Sequence, residues 1–229
     1  MGEGPTQQPA RVAQRDIPRL YNRLARVYDI WAALTESTSR RRSLERASPV
    51  DGENMLEVAV GTGQTLAALA RCNPTGTIHG TDISLGMVAR AQRCLGGIPG
   101  QRRPLIALAD AHAQPFADRS FDLVVVSYFF DLLPEPDFSA VIAEVRRVVR
   151  DTGRIVVTSM TIADRRRDGL YQWVYRLRPS LLGGCRGVRL APYLAAHGFR
   201  VVERDYVTQL GFPSEIVLAR PTELPHPPE

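Results

Sequence analysis

The sequence predicts an α/β fold built on a doubly wound, mostly parallel sheet. Short apolar runs typical of buried strands alternate along the chain with segments of helical periodicity. The first apolar run, 54–60, ends in Gly61-Thr62-Gly63, and a helical pattern begins directly after it. Asp82 and Asp110 end the next two apolar runs. Because the carboxyl ends of parallel strands share one edge of a sheet, these features predict a ligand site there.

The N-terminal part of the chain is predicted to be a mobile arm followed by a helical lid. Residues 1–15 are rich in Gly, Pro, Gln and Ala and show no periodic apolar face. From Asp16 onward, apolar and aromatic residues recur at helical spacing, and an Arg-rich helical stretch covers 37–47. Two interpretations of this helical lid, 16–48, stay open. It either packs on the domain with a solvated basic face, or it covers the ligand site, touches a membrane surface, or does both.

A single domain is predicted to extend from residue 16 to residue 220. Its predicted strands lie at 54–60, 77–83, 105–109, 121–130 and 153–160, with a closing antiparallel pair at 199–207 and 214–220. Its predicted helices lie at 64–72, 85–95, 138–150 and 190–197. The Pro-rich tail, 221–229, is expected to be disordered.

The segment 161–187 interrupts this alternation. It holds Arg165-Arg166-Arg167 and then the aromatic residues Tyr171, Trp173 and Tyr175. Because it leaves from the carboxyl end of a strand, we expect a substrate-side insertion that could form the roof of an acceptor pocket. An ordinary surface insertion is the alternative.

Composition bounds the class of protein. The chain has 229 residues, of which 44% are hydrophobic and 23% charged, as in a globular protein with one well-buried domain. All 29 basic residues are Arg, and the net charge of +5 is compatible with anionic partners such as lipid headgroups. The three cysteines have no metal-ligand spacing, so no metal site is predicted. The N-terminus lacks the apolar core of a signal peptide, so we expect a cytoplasmic location.

Four motifs resemble those of the class I S-adenosylmethionine-dependent methyltransferases. The resemblance covers roughly 17–220, and its motifs are Leu56-Glu57-Val58-Ala59-Val60-Gly61-Thr62-Gly63, Asp82-Ile83-Ser84-Leu85-Gly86-Met87, 110–116 and 120–124. A dinucleotide-binding fingerprint would need a small residue where Leu66 stands, which disfavours a nicotinamide enzyme.

Two further segments are similar to the ubiquinone and menaquinone biosynthesis methyltransferases and the bacterial phosphatidylethanolamine N-methyltransferases. One is Tyr21-x-x-x-Ala25-x-x-Tyr28-Asp29-x-Trp31, and the other is Gly183-Gly184-Cys185-Arg186. In the second segment, Gly187 stands where that group has Pro.

The resemblance implies a Rossmann-like methyltransferase fold of seven strands, the last antiparallel, with an N-terminal helical lid. It also implies S-adenosyl-L-methionine as the cofactor. The residues implied to bind it are Tyr21, Glu57, Gly61, Thr62, Gly63, Asp82, Ile83, Met87, Asp110, Ala111 and Ser127. Among them, Asp82 would accept hydrogen bonds from the ribose hydroxyls, and Asp110 would accept one from the adenine amino group. Glu57 would order the turn or meet the cofactor amine through water.

Candidates for acid–base chemistry are few. Tyr128 and Asp131 follow the fourth predicted strand, near the expected acceptor, and Tyr28 lies on the predicted lid. Packing of the tyrosines and capping by Asp131 are the structural alternatives. The sequence contains no recognisable arrangement for a hydrolase.

The sequence therefore predicts a methyltransferase acting on a lipid-like acceptor, either a phosphatidylethanolamine-type amine or a quinol. A soluble small metabolite as acceptor is the first alternative, and a non-catalytic cofactor-binding or partner-activating protein is the second. A lipid acceptor implies peripheral contact with the inner membrane surface. No nucleic acid partner is expected.

Overall fold

The computed structural model describes residues 37–96, 103–162 and 186–222. The predicted mobile arm, lid residues 16–36 with Tyr21 and Tyr28, insertion residues 163–185 and the tail from 223 onward lie outside the described residues. The division of the chain into arm, domain and tail therefore stays a prediction.

Within the described residues, strands and helices alternate as predicted. The strands are β1 (Asn54–Val58), β2 (Thr77–Asp82), β3 (Leu105–Leu108), β4 (Phe121–Ser127), β5 (Val149–Met160), β6 (Phe199–Gln209) and β7 (Phe212–Pro221). The helices are α1 (37–47), α2 (Gln64–Cys72), α3 (Leu85–Leu95), α4 (Glu135–Val148) and α5 (Ala191–Ala196).

The strands form one seven-stranded sheet in the order β3-β2-β1-β4-β5-β7-β6. The neighbours from β3 to β5 pair in parallel, whereas β7 lies antiparallel between β5 and β6. The predicted doubly wound, mostly parallel sheet with a last antiparallel strand is confirmed. The order reverses beside β1, so the carboxyl ends of β1, β2 and β4 meet at the switch point where open α/β sheets bind ligands.

Both faces of the sheet are covered because the central strands are apolar on both sides. Leu56 and Val58 of β1 belong to one buried cluster, which contains the apolar faces of α4 and α5. Met55 of the same strand belongs to the other cluster, which contains residues of α1, α2 and α3. The alternation of side chains along a single strand thus separates two cores.

Three element boundaries differ from the prediction by three residues or more. The strand β4 ends at Ser127 rather than residue 130, because Tyr128 adopts a left-handed backbone with φ of 50°. Helix α4 begins at Glu135 rather than 138, since Pro136 suits the first helical turn, where no backbone N–H is required. The strand β5 begins at Val149 rather than 153, with an irregular register opposite the start of β4.

Helix α1 is fixed to the outer part of the sheet by ion pairs. Arg42 and Arg46 both donate to the carboxylate of Asp205 on β6, at 3.1 and 2.5 Å from their Nε atoms. At the helix start, the Gln209 side chain accepts from the backbone N–H of Thr38 at 2.7 Å and donates to the Ser37 hydroxyl at 2.9 Å. The first described residues of α1 therefore lie at the carboxyl end of β6.

Candidate functional site

The turn between β1 and α2 uses three left-handed residues: Ala59, Gly61 and Gly63, with φ of 58°, 52° and 81°. A Cβ added at Gly63 would lie 2.8 Å from the Cα of Ala91, so only glycine allows α2 to pack this closely on α3. A Cβ added at Gly61 would meet no atom within 4 Å. The turn is thus closed against α3 at Gly63 and open at Gly61.

The carboxylate of Asp82 holds this turn to the end of β2. Its Oδ2 accepts the backbone N–H of Gly61 at 2.9 Å, and its Oδ1 accepts that of Ser84 at 2.9 Å. Burial raises the pKa of Asp82, and the two backbone hydrogen bonds oppose that shift. Each carboxylate oxygen can accept more than one hydrogen bond, so Asp82 can also receive hydroxyl donors of a ligand.

Glu57 is a buried carboxyl behind the same turn, with 2% of its surface exposed. Burial raises its pKa well above the ordinary value, whereas donors on Leu66 and Thr65 act in the opposite direction and the nearby Asp82 raises it further. The Oε2 atom has no hydrogen-bond partner among the described residues. A buried carboxyl oxygen without a partner is costly, so it indicates a donor that a ligand or water supplies.

The charges at this turn discriminate between classes of ligand. A pyrophosphate would need the backbone N–H groups of the turn as donors. Here the Gly61 N–H is already bonded to a carboxylate, and a second carboxyl lies close by at Glu57. The site is therefore suited to a ligand with cationic and hydroxyl groups rather than to a dinucleotide.

Asp110 lies at the end of β3 in a tight turn closed by a bridge to Ala113. Its Oδ1 accepts two hydrogen bonds from His112, from the backbone N–H at 2.9 Å and with the ring Nδ1 at 2.7 Å. These bonds lower the pKa of Asp110. Because half of the Asp110 side chain is exposed, its carboxylate remains accessible to a ligand. The sequence did not predict the contact with His112.

Large apolar side chains surround this edge and face solvent. Ile83 is 71% exposed and follows β2, while Ala111 beside Asp110 is buried. Leu85, at the start of α3, and Leu108, at the end of β3, are also exposed and were not predicted as site residues. Exposed apolar residues at the ends of neighbouring strands are suited to contact a planar ring. Only the structure could identify the two leucines, because buried leucines look the same in sequence.

At the end of β4, Ser127 is half-buried and Tyr128 adopts its left-handed backbone. The Tyr128 hydroxyl lies 2.9 Å from the Ser214 Oγ of β7. Asp131 is 1% exposed, and its backbone oxygen accepts the N–H of Arg186 at 3.1 Å. Residues held in strained backbone conformations cluster at functional sites, so Tyr128 is a candidate for such a role. The buried Asp131 lies farther along the chain, between β4 and α4.

Comparisons with known proteins identify the family. A family model described as a methyltransferase domain matches residues 55–153. A demethylmenaquinone methyltransferase of Thermotoga maritima is 31% identical over 153 residues, which are 65% of this chain and 63% of the relative. A phosphatidylethanolamine N-methyltransferase of Cereibacter sphaeroides is 30% identical over 149 residues, which are 65% of this chain and 70% of the relative.

The chain belongs to the class I S-adenosylmethionine-dependent methyltransferases. Among solved structures, Burkholderia thailandensis 1,6-didemethyltoxoflavin-N1-methyltransferase, with its substrate and S-adenosylhomocysteine bound, has the same fold. Its TM-score is 0.68 at 14% identity, covering 95% of this chain and 94% of that one. The chain spans about three fifths of the length of the first curated relatives that it matches.

Membership of this methyltransferase family confirms S-adenosylmethionine as the predicted cofactor, and the described residues fit it. The orphaned Oε2 of Glu57 and the open face of Gly61 are two features that such a ligand would complete. Thr62 lies half-buried within the turn, and Met87 lies in the first turn of α3, where its N–H bonds to Ser84. The roles of individual residues remain predictions.

Two features are absent from the described residues: a cluster of metal ligands and a membrane-spanning helix. No group of three or more His, Cys, Asp or Glu residues that could hold a metal ion occurs within 37–96, 103–162 and 186–222. Over the same ranges, no helix has the length and apolar character needed to cross a membrane.

Proposed function

We propose that this protein transfers the methyl group of S-adenosylmethionine to a quinol or to a phosphatidylethanolamine-type amine. The observation that carries the methyl-transfer part is the turn at Gly61, which two carboxyls border. Asp82 bonds the turn directly, and Glu57 lies behind it with an unpartnered oxygen. Carboxyls placed in this way suit the ribose hydroxyls and the amino group of this cofactor, and they repel phosphate.

The cofactor supplies a methyl group that is already activated as a sulfonium, so the protein must mainly bind, orient and exclude water. In this proposal, Asp82 accepts hydrogen bonds from the ribose hydroxyls, and Asp110 accepts one from the adenine amino group. Glu57 binds the amino group of the methionine part through a water molecule. Ile83 and Ala111 contact the ring. Each carboxyl is held in place by backbone hydrogen bonds or by burial before the cofactor arrives, which reduces the ordering cost on binding.

The acceptor decides whether a base is needed. An amine attacks as its free base and requires positioning only, whereas a quinol must lose a proton. Tyr128, directly after β4, is the proposed hydrogen-bond partner of the methyl acceptor. In support, its hydroxyl is held by a hydrogen bond with the Ser214 Oγ at 2.9 Å. Asp131 is the proposed proton acceptor for a quinol, although its burial requires that the acceptor reach inward. The role of Tyr28 as a contact on the lid is proposed from the sequence alone.

The two acceptor classes are supported by the motifs shared with that group of methyltransferases and by the names of the relatives described above. Peripheral membrane contact is part of the proposal, because a lipid acceptor must be reached at a surface. The Arg and aromatic residues of 15–34 and 165–186 have the composition for it.

Titration calorimetry tests the cofactor site. We expect binding of S-adenosylmethionine and S-adenosylhomocysteine and no binding of NAD. Removing a charge-assisted hydrogen bond costs about 1.5–3 kcal/mol, so Asp82→Ala should weaken binding by roughly tenfold or more. The affinity of Asp82→Asn should lie between those of the natural protein and Asp82→Ala, because the amide oxygen can still accept one backbone N–H. The matched control is Asp51→Ala, an exposed aspartate at the opposite edge of the sheet. Unchanged affinity in Asp82→Ala would remove Asp82 from the site.

A transfer assay with labelled methyl donor tests the acceptor. The protein is incubated with a total lipid extract, with quinols and with a pool of soluble metabolites, and the labelled products are identified by mass. Label in the soluble pool alone would replace the lipid proposal by the small-metabolite alternative. Cofactor binding without label in any pool would favour a non-catalytic protein.

Sedimentation with anionic vesicles tests membrane contact. We expect binding that weakens as salt is added, and weaker binding after Arg165, Arg166 and Arg167 are changed to Gln. The matched control changes three exposed or half-exposed arginines of α2 and α3 in the same way: Arg71, Arg90 and Arg93. Equal loss in both triple variants would show a general charge effect and contradict a specific membrane face.

A further inference from the structure

Gln114 connects the Asp110 backbone to Thr81, the residue before Asp82. It is 5% exposed and follows the turn of Asp110. Its side-chain Oε1 accepts the hydroxyl of Thr81 at 3.0 Å, and its Nε2 donates to the backbone oxygen of Asp110 at 3.0 Å. Thr81 directly precedes Asp82 on β2. One buried amide therefore spans the distance between the end of β2 and the turn that carries Asp110.

The position of Asp110 is set by two connections to β2, because β3 itself is a weak support. The backbone N–H of Ala109, which precedes Asp110, donates to the Asp82 carbonyl oxygen at 3.0 Å, and the Gln114 side chain adds the second connection. The strand β3 has four residues and lies at the edge of the sheet, where β2 is its one neighbour among the described strands. Leu105 and Leu108 at its two ends are exposed, so little packing holds the strand. The Asp110 backbone oxygen receives two donors, the Ala113 N–H at 3.1 Å and the Gln114 amide, and only the second reaches back to the strand β2.

The backbone of Gln114 is held separately by α4. Its N–H donates to Glu144 Oε1 at 2.6 Å, and its carbonyl oxygen accepts a guanidinium N–H of Arg147 at 3.0 Å. Arg147 also donates to the Phe116 oxygen at 2.8 Å. These bonds hold the loop on the domain without the Gln114 side chain. The buried side-chain amide must therefore have another role.

We propose that Gln114 is a positioning residue that sets the selectivity for the adenine ring by fixing Asp110 relative to Asp82. This inference rests on the proposed function, in which Asp82 binds the ribose and Asp110 accepts the amino group of the ring. The ring and the ribose of one ligand have a fixed geometry, so both carboxyls must keep a defined separation for both bonds to form. The backbone bond from Ala109 to Asp82 fixes the end of β3. The amide of Gln114 fixes the turn beyond it, through Thr81 on one side and the Asp110 backbone on the other.

The test measures a ratio of affinities rather than one affinity. Calorimetry on the full chain gives the dissociation constants of S-adenosylhomocysteine and of S-inosylhomocysteine, in which an oxygen replaces the ring amino group. The natural protein should prefer the first ligand by about tenfold or more, as expected for one hydrogen bond to a charged group. Gln114→Leu keeps the side-chain volume and removes the amide, and it should reduce that ratio to nearly one. Gln92→Leu, on the exposed face of α3, is the matched control and should leave the ratio unchanged.

Two further variants keep the test decisive if Gln114→Leu does not fold. Gln114→Glu retains an acceptor for Thr81 but loses the donor to Asp110, so it should also reduce the ratio. Thr81→Val removes the other end of the connection and should do the same. A residue that acted only on stability would lower the melting temperature or weaken both ligands equally, and an unchanged ratio in the folded variants would overturn the inference.

The outcomes separate this inference from the proposed function. If the natural protein binds neither ligand, the proposed cofactor site is wrong and the inference falls with it. If it binds both equally, Asp110 does not select the ring and the inference is overturned while cofactor binding stands. If it discriminates and Gln114→Leu discriminates equally well, the proposed function stands and the role of Gln114 is refuted.

Discussion

Replacing Glu57 with Gln should make the unliganded protein more stable and its cofactor binding weaker. Gln has the shape of Glu and cannot ionise. In the native state, burial raises the pKa of the Glu57 carboxyl well above its ordinary value. In the unfolded chain the same carboxyl ionises at about pH 4.3, the usual pKa of an exposed Glu. Above that pH, folding must either protonate the Glu57 carboxylate again or bury its negative charge. Both processes cost free energy, and the Gln variant requires neither.

The sign and the pH window follow from linkage. Below the unfolded pKa both states are protonated, and the carboxyl adds no penalty. As pH rises between the unfolded and the folded pKa, the unfolded state gains stability by at most about 1.4 kcal/mol per pH unit. The free energy of unfolding of Glu57→Gln minus that of the natural protein should therefore grow with pH across this window and then level off. Gln also leaves one buried polar atom without a partner, so the gain comes from the ionisation of Glu57 alone. We expect it to be on the order of 1 kcal/mol or more at pH 7.5, which corresponds to about one pH unit of this window.

The cofactor should respond in the opposite direction. In the proposed site, the cationic amino group of the cofactor meets Glu57 through water and favours its ionised form, a hydrogen-bond acceptor that the variant cannot provide. We expect roughly tenfold weaker binding of S-adenosylhomocysteine, corresponding to about 1.4 kcal/mol. A gain in stability together with a loss of affinity would identify Glu57 as a residue kept for binding at the expense of stability.

Urea unfolding between pH 4 and pH 9, with calorimetry at pH 7.5, measures both quantities. Glu53→Gln is the matched control, because Glu53 pairs with Arg154 through two bonds of 2.7 and 2.9 Å. Burial would raise the pKa of Glu53, but the hydrogen bonds of Arg154 and Val50 outweigh it and lower the pKa. Its stabilising effect is present above the unfolded pKa and is lost as pH falls, so Glu53→Gln should be destabilised at neutral pH. If Glu57→Gln behaved like this control, or differed from the natural protein by a constant at all pH values, the account of Glu57 would be refuted.

Three further predictions concern the turn and the lid. Ala59→Gly should raise the free energy of unfolding by a few tenths to about 1 kcal/mol in urea, since a non-glycine residue at φ of 58° is strained. Gly63→Ala should lower the melting temperature and weaken cofactor binding, because its Cβ would lie 2.8 Å from the backbone of Ala91. Deleting residues 1–15 should leave turnover nearly unchanged, whereas deleting 1–34 should abolish it with the core still folded by circular dichroism.

The sheet could be predicted from the sequence because its signals are local. Apolar runs of strand length, the glycine turn and the helical periodicity of α2 and α3 each lie within about a dozen residues. The predicted element boundaries were wrong where one residue departs from the usual backbone preference of its type. Nothing in the letters of Tyr128 indicates a left-handed backbone, and Pro136 ends a helix in most positions but begins one in the first turn.

The site could be predicted only in part for a related reason. Strand ends indicate where Asp82 and Asp110 lie, but not which groups they bond. The bond from Gly61 to Asp82 joins residues 21 apart, and that from Thr81 to Gln114 joins residues 33 apart. Both depend on the register of neighbouring strands, which a single sequence does not specify. The pairing of His112 with Asp110 is local, yet a surface histidine has no sequence signal that distinguishes it from an unpaired one.

The arrangement of the site implies a division between affinity and rate. In the proposed function, the carboxyls of Glu57, Asp82 and Asp110 bind the amino group, the ribose and the ring of the cofactor, none of which changes during methyl transfer. Interactions that are equal in the bound cofactor and in the transition state lower KM without raising kcat. Acceleration must then come from the acceptor side, to which the proposed function assigns Tyr128, hydrogen-bonded to Ser214. Variants of the three carboxyls should therefore raise the KM for the cofactor at nearly constant kcat, whereas Tyr128→Phe should lower kcat at nearly constant KM, and the reverse pattern in steady-state kinetics would contradict this division.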